Sequence, residues 1–414
     1  MQNISNIIVY VFSFLSLYFE IFLLITYIEK RKSIGEKADS EELNYFPTTT
    51  IMVPCFNEEK TLEKTVNSLL NLDYPKDKIE IFIVDDGSTD GTYEVAKKFS
   101  NNPQIKIFKK ENGGKHTVLN FGIKNSRSEL IGCLDADSFV DKYALKRIVY
   151  FFNKDKNTMA VVPAIKIHEP KNIIQKIQNV EYNLGVFKRK VLSLLDALYV
   201  TPGPFSIFRR EVFETLGYYK HAHLTEDFEM AMRMQASHYK IDNSHKSFVY
   251  TVAPNSLKKL YKQRLRWTYG FIKNAIDYRF MFFKKEYGNM SFFLLPTAIF
   301  SIISAIYLVT VFIVEMIGKI SDKILEIQVV GFKFDLSKWN FDPFYLNTET
   351  ISILALMAGI LSIYIILISQ KIADDKVKIK LDLVYFLIVY PFIAPIWLFK
   401  AVYNTVLSKK TLWR

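Results

Sequence analysis

Two aspartates one residue apart, Asp135 and Asp137, close the stretch LIGCLDADSF, residues 130–139. The apolar run before them reads as a strand. Side chains alternate across a strand, so both carboxylates share a face where it runs out. Two like charges that close raise each other's pKa unless a cation sits between them. Hard oxygen ligands of this kind suit Mg2+ or Mn2+, which one or two carboxylates usually share with substrate phosphates. The competing reading is a solvated strand end.

Four other stretches carry residues of the same chemical kind. VDDGSTDGT ends another apolar run with Asp85 and Asp86; a turn with Asx caps explains Gly87, Ser88 and Asp90, but not two carboxylates ending a strand. KKENGGKHTVLN, residues 109–120, sets Gly113, Gly114 and Lys115 at a helix start, where backbone N–H groups and a lysine favour an anion. A plain turn is the alternative there. LTEDFEMAMRM places Glu226 and Asp227 in the first turn of a helix. Thr225 as N-cap, with acidic residues favouring the helix dipole, explains this stretch without any function. QRLRW, residues 263–267, offers Arg264 and Arg266 either to lipid phosphates or to a departing diphosphate. Trp267 is either an interfacial anchor or an aromatic face for a sugar.

The elements that must position these residues follow from periodicity. Residues 48–165 alternate strand patterns with amphipathic helix patterns, which implies a mostly parallel sheet covered on both faces. Ligands of such sheets bind beyond the carboxyl ends of the strands. CFNEE, VDDGS and LDADS all end strands on that edge. A long helical pattern covers 172–198, then the tight TPGPFSIFRRE turn leads into a short strand. Helix patterns follow over 225–238 and over the basic, amphipathic SLKKLYKQRLRWTYGFIKN, which suits a membrane interface.

The flanks are apolar. Residues 4–28 exceed the ~20 needed to span a bilayer, and with no small-residue cleavage site they read as an anchor rather than a signal peptide. Further spans are expected at about 290–316, 350–369 and 381–407, and Pro391 and Pro395 predict a kinked or re-entrant last span. The expected domains are thus an anchor, 1–32; a catalytic domain, 48–255; an interfacial region with QRLRW, 256–289; and a membrane region, 290–414. Lys30, Arg31 and Lys32 follow the first span, so the positive-inside rule puts the catalytic domain in the cytoplasm of a plasma-membrane protein. Lys371, Lys376, Lys378 and Lys380 also favour the inside. Lys409, Lys410 and Arg414 favour the same side, against a simple count of spans.

Of the 414 residues, 50% are hydrophobic and 23% charged, with a net charge of +12. The basic residues flank apolar runs rather than forming one patch. That speaks for membrane lipids or anionic substrates and against nucleic acid. Cys55 and Cys133 lie in core strand patterns, give neither a disulfide framework nor zinc spacing, and read as buried thiols.

VDDGS, DAD, TED and QRLRW occur together and in this order. On these motifs the chain resembles the membrane-embedded family 2 glycosyltransferases, which include cellulose, chitin, hyaluronan and poly-N-acetylglucosamine synthases. The resemblance covers residues 48–275, and TED looks closer to the cellulose and poly-N-acetylglucosamine branches. It implies an α/β fold, a GT-A type nucleotide-diphosphosugar domain, with interfacial helices and about four transmembrane segments. Asp86 with Asp85 would contact the nucleotide; Asp135 and Asp137 would hold diphosphate and Mg2+ or Mn2+. Asp227 would be the general base, with Glu226 the competing candidate. Gln263, Arg264, Arg266 and Trp267 would hold the diphosphate and the acceptor end, Lys115 the phosphates, and Gly203 would lie in the acceptor loop.

The implied activity is inverting transfer from a UDP-linked sugar to the end of a β-linked polysaccharide, with possible export. Single-sugar transfer to a polyprenyl phosphate or glycolipid acceptor is the alternative. A transporter with a nucleotide-sensing domain would leave the acidic strand ends unexplained. The sequence does not name accessory subunits.

Overall fold

The computed structural model describes residues 2–34, 43–331, 350–375 and 381–407. Lys376, Lys378, Lys380, Lys409, Lys410 and Arg414 lie outside the described residues.

A long helix, α1 (Gln2–Ile34), leads to the catalytic sheet. There β1 (Thr49–Cys55), α2 (Leu62–Leu70), β2 (Ile79–Asp85), α3 (Thr92–Lys97), β3 (Ile105–Lys109), α4 (Lys115–Asn125) and β4 (Leu130–Cys133) follow in the expected alternation. The chain continues through β5 (Ser138–Val140), α5 (Ala144–Lys154), β6 (Thr158–Ile167), α6 (Ile173–Leu194), β7 (Ile207–Arg209), α7 (Arg210–Leu216), α8 (Glu226–Ala236) and β8 (Lys240–Thr251). It ends with α9 (Leu257–Asp277), α10 (Leu295–Val330), α11 (Thr350–Ile372) and α12 (Leu381–Val406).

The eight strands form one sheet, ordered β3-β2-β1-β4-β7-β6-β8-β5. β3, β2, β1 and β4 are parallel, β7 runs antiparallel to both its neighbours, β6 and β8 are parallel, and β5 pairs antiparallel with β8. The parallel half arises because each strand is a continuous apolar run that returns through a helix. Alternation sorts its side chains. Met52, Phe82, Val84, Ile131 and Cys133 enter one core. Ile51, Val53, Ile81, Ile83 and Leu130 enter the other, beneath α2 and α5. The first core continues through Phe187 of α6 to Leu295 and Ile365 of the membrane helices. The catalytic sheet is therefore seated on the bundle by shared apolar burial.

Among the described residues, four helices are long and apolar enough to cross a bilayer: Ile7–Lys30, Met290–Val329, Ser352–Ile372 and Leu381–Val406.

Three expectations need correction. β4 ends at Cys133, so Asp135 and Asp137 lie in a turn, not on the strand. Leu134 N–H still donates to Met52 O, at 2.8 Å, but Ser138 N–H then turns back to Asp135 O at 2.9 Å. The common facing survives, because Ala136 is buried while both aspartates are half-buried. The span expected to end near 316 runs on as helix to Val330. At 1.5 Å per residue its 36 residues reach roughly 54 Å, well beyond the ~30 Å hydrocarbon core. Pro391 and Pro395 both lie inside α12, which stays one helix over 26 residues, so no re-entrant break exists there. A transmembrane helix tolerates proline where neighbours satisfy the freed carbonyls.

Candidate active site

Asp85 and Asp86 end β2 opposite Cys55 of β1. Asp85 is fully buried; its Oδ1 accepts from Ser88 N–H at 3.2 Å, and its Oδ2 has no partner. Asp86 is saturated from within. Its Oδ1 accepts from Lys110 Nζ at 2.6 Å and from Gly113 N–H at 3.1 Å, and its Oδ2 from Gly114 N–H at 2.9 Å. This corrects the reading of the 109–120 loop. Its backbone donors do gather an anion, but the anion is the chain's own Asp86. Gly114, at φ +86°, supplies the left-handed turn that aims them.

Lys115 opens α4 and points away from that loop. Its ammonium contacts the Asp135 carboxylate and lies 3.9 Å from Glu226. Burial works to lower its pKa, but the facing Asp135 and Glu226 carboxylates prevail and hold the ammonium well above the usual range. Gly203 sits directly beside this pair. A Cβ there would come within 2.5 Å of Lys115 Nζ and 3.4 Å of Asp135 Oδ2. Asp137 is pushed up to about 6, first by burial and then by Asp135, with a Ser138 hydrogen bond opposing.

Glu226 and Asp227 begin α8. The loop before it is pinned by Thr201, whose N–H and Oγ1 both donate to Asp227 O, at 3.2 and 3.0 Å. Thr225 does not cap the helix as expected; its hydroxyl donates to Ala222 O and accepts from Asn274 Nδ2 instead. Burial, then the charge on Glu226, pushes Asp227 up to about 6, while Lys115 and Arg266 pull it down. Both acids line one cavity together with Lys115, Gly203, Cys133 and Tyr219. At the first turn of α8 both candidates for the base therefore line the same cavity.

QRLRW lies on α9. Arg266 acts on Asp227. Arg264 is turned elsewhere, donating to Glu181 of α6 at 2.7 Å with its guanidinium stacked on Trp267 at 4.3 Å. Gln263 Oε1 is buried without a partner. Sequence reasoning missed Glu181 and Tyr219. No motif surrounds either one, and only the packing of α6 on α9, and of the 217–224 loop on α4, brings them in. Cys55 and Cys133 are buried free thiols.

This arrangement, a lysine between two acidic groups beyond the ends of parallel strands, defines a GT-A type nucleotide-sugar domain seated on membrane helices. Residues 50–217 match the family described as glycosyl transferase family 2. A poly-beta-1,6-N-acetyl-D-glucosamine synthase of Staphylococcus epidermidis is 30% identical over 276 residues, 65% of this chain and 66% of that protein. One from Staphylococcus aureus strain COL is 32% identical over 262 residues, 62% of this chain and 63% of that protein. The match thus spans just under two thirds of these relatives' length. Among solved structures, a Pyrobaculum calidifontis mannosyltransferase in complex with GDP-Man and Mn2+ superposes with a TM-score of 0.58 at 17% identity, over 95% of this chain and 99% of that one. Residues 50–217 thus carry a glycosyl transferase family 2 domain.

Proposed function

We propose that this protein is an inverting membrane glycosyltransferase that moves N-acetylglucosamine from a UDP-linked donor to the end of a β-linked polysaccharide. The observation that carries the reading is the single cavity shared by Lys115, Glu226 and Asp227, with Lys115 joined to Asp135. The named activity of the staphylococcal relatives supports the sugar and the polymer.

The residues fit a divalent cation. Asp137 is driven towards its neutral form by burial and by Asp135, a strain that a cation relieves. Asp135 and Asp137 would hold Mg2+ or Mn2+, as hard oxygen donors do. When bound, such a cation supplies Lewis-acid stabilisation of the departing diphosphate. The Pyrobaculum enzyme holds Mn2+. Lys115 adds a second positive charge at the same place. An acceptor hydroxyl attacks the anomeric carbon, the bond to the diphosphate breaks with its electron pair leaving on UDP, and Asp227 takes the hydroxyl proton. One displacement with one base inverts the anomeric centre, so an α-linked donor yields a β-linkage; no carboxylate nucleophile is needed. Lys115 and then Arg266 lower the proton affinity of Asp227, which at about 6 leaves it a base near neutrality. Asp85, Asp86 and the loop that Asp86 organises form the nucleotide side, and Trp267 the acceptor side. The catalytic domain lies in the cytoplasm and the helices in the plasma membrane.

The test is incubation of the full-length protein in lipid nanodiscs with UDP-N-acetylglucosamine, UDP-glucose or GDP-mannose, with and without chelator. Metal-dependent, size-heterogeneous product from UDP-N-acetylglucosamine is expected. Absence of product from every donor, or addition of one sugar to lipid alone, overturns the reading.

A further inference from the structure

Arg189 is a half-buried cation for which the described residues provide no anion. Its Nε and Nη2 are fully buried and make no hydrogen bond. The ionisable groups beside its guanidinium are the phenols of Tyr199 and Tyr182, both neutral at physiological pH. Neither hydroxyl makes a hydrogen bond within the described residues. The carboxylate on the same helix, Glu181, is taken: it accepts from Arg264 at 2.7 Å and from Tyr390 at 2.8 Å. An arginine cannot shed its charge, so a buried one without a counter-ion is strongly unfavourable unless something outside the chain pairs with it.

The slot is built on α6. Tyr182, Gly185 and Arg189 lie three and four residues apart, on one face. Gly185 makes the room, since a Cβ there would lie 3.3 Å from Arg189 Nη1. Tyr199 closes the slot from the next loop, its ring fixed against Phe228 and Phe271.

Its level in the molecule is set by the neighbours. Phe187 meets Tyr27 of α1, and Lys30 at the end of α1 donates to Leu194 O. Val180 packs with Ile366 of α11 and Leu383 of α12. Tyr199 and Ala298 of α10 pack against the same apolar cluster, which includes Phe271 of α9 and Ala401 of α12. The end of α1, the start of α10, the end of α11 and the start of α12 all lie at the catalytic-domain end of the bundle. That is the level of a bilayer's phosphate layer. A planar guanidinium flanked by two unoccupied hydroxyls matches a phosphate, with charge-assisted bonds from Arg and neutral ones from Tyr.

We propose that Arg189, with the hydroxyls of Tyr182 and Tyr199, binds the phosphate of a membrane phospholipid between the catalytic domain and the bundle. The lipid holds the two parts in register and supplies the charge that the protein lacks. The other source of a phosphate is the donor's diphosphate, since Tyr182 also feels Asp137.

The experiment uses full-length wild type, Arg189→Gln and Arg189→Lys in nanodiscs of phosphatidylcholine, with and without phosphatidylglycerol. Lipid retention is read by native mass spectrometry after release, and thermal unfolding is followed in parallel. Wild type should retain phosphatidylglycerol and unfold at a higher temperature with it. Arg189→Gln should bind it about 10–100-fold more weakly, the size of a lost charge-assisted hydrogen bond. Arg189→Lys should fall between the two. If Arg189→Gln does not fold, the double variant Tyr182→Phe/Tyr199→Phe must weaken retention with the guanidinium intact. Equal retention by wild type and the variants overturns the site. Arg189-dependent stabilisation by UDP or inorganic phosphate in phosphatidylcholine alone overturns the lipid assignment and gives the slot to the donor. Neither readout needs sugar transfer, so this result stands apart from the fate of the proposed activity.

Discussion

The guanidinium of Arg264 lies 4.3 Å from the centre of the Trp267 ring and is held there by Glu181. Glu181 is in turn bound by Tyr390 of α12. Helices α6, α9 and α12 thus meet at one carboxylate, and the indole takes its orientation from that junction. Removing Arg264 leaves Glu181 without its charge partner. Fully buried pairs cost ~3–5 kcal/mol to break this way; Glu181 keeps 26% of its side-chain surface, so about 2–3 kcal/mol is expected. Adding Glu181→Gln to Arg264→Ala should recover part of that loss in thermal unfolding. A double variant no more stable than Arg264→Ala would show that the pair is not coupled.

Trp267 itself is expected to serve the acceptor. Trp267→Ala should lower polymer synthesis far more than hydrolysis of the donor to free sugar and nucleotide, because the proposed nucleotide side, Asp85 and Asp86, and the proposed metal ligands, Asp135 and Asp137, lie on other elements. Both rates are measured on a variant first shown to unfold cooperatively. Equal loss of the two would assign the indole to the donor or to the fold.

What the sequence revealed, and what it hid, divides along physical lines. The parallel half was legible because buried strands read as continuous apolar runs, as in IEIFIVD, and each ends in turn chemistry. β8 was not. Its KIDNSHKSFVYT carries buried Asn243, Ser244, His245 and Ser247, and the register opposite β6 shifts between Pro163 and Ala164. Such a bulge breaks the period-two pattern on which a strand is recognised. β5, three residues long, is below any pattern. The acidic pairs were found because they end strands. The roles of Lys115 and Arg264 were not separable in sequence, since a lysine facing the site and an arginine turned to a carboxylate outside it look alike until their partners are known. Here Lys115 faces the cavity and Arg264 turns to Glu181.

Gly203 is expected to be intolerant of even a methyl group. The added Cβ would fall 2.5 Å from Lys115 Nζ. The lysine end can move, so the fold should survive Gly203→Ala with a stability change within about 1 kcal/mol. Its contact with Asp135 would not survive. A rise in donor KM with unchanged thermal unfolding is the expected result, and an unchanged KM would remove Gly203 from the site.

Lys115 competes with any cation for Asp135. Lys115→Met should therefore tighten binding of Mn2+ in the absence of donor, read by electron paramagnetic resonance. It should also weaken donor binding, since the phosphates lose a positive charge. Turnover is expected to fall by about 10–100-fold, the worth of a charged hydrogen bond. Weaker Mn2+ binding without donor would mean that Lys115 organises the aspartates rather than competing for them.

The division of labour among the carboxylates is the sharpest test of the mechanism. Asp227 is pushed up to about 6 by burial and by Glu226, and Arg266 and Lys115 restrain the shift. A base must be ionised to accept a proton, so kcat/KM should rise with pH up to about 6 and level off above it. Replacing Arg266 by Gln removes a restraint and should move that limb to higher pH. Asp227→Asn keeps shape and hydrogen bonding but cannot take the proton. It should bind donor normally and turn over ~10²–10⁴-fold more slowly, with the acid limb gone. Asp137→Asn should weaken metal-dependent donor binding as well as turnover. Because Glu226 lines the same cavity, Glu226→Gln is the decisive control. If it abolishes turnover and the limb while Asp227→Asn retains both, the proton passes to Glu226.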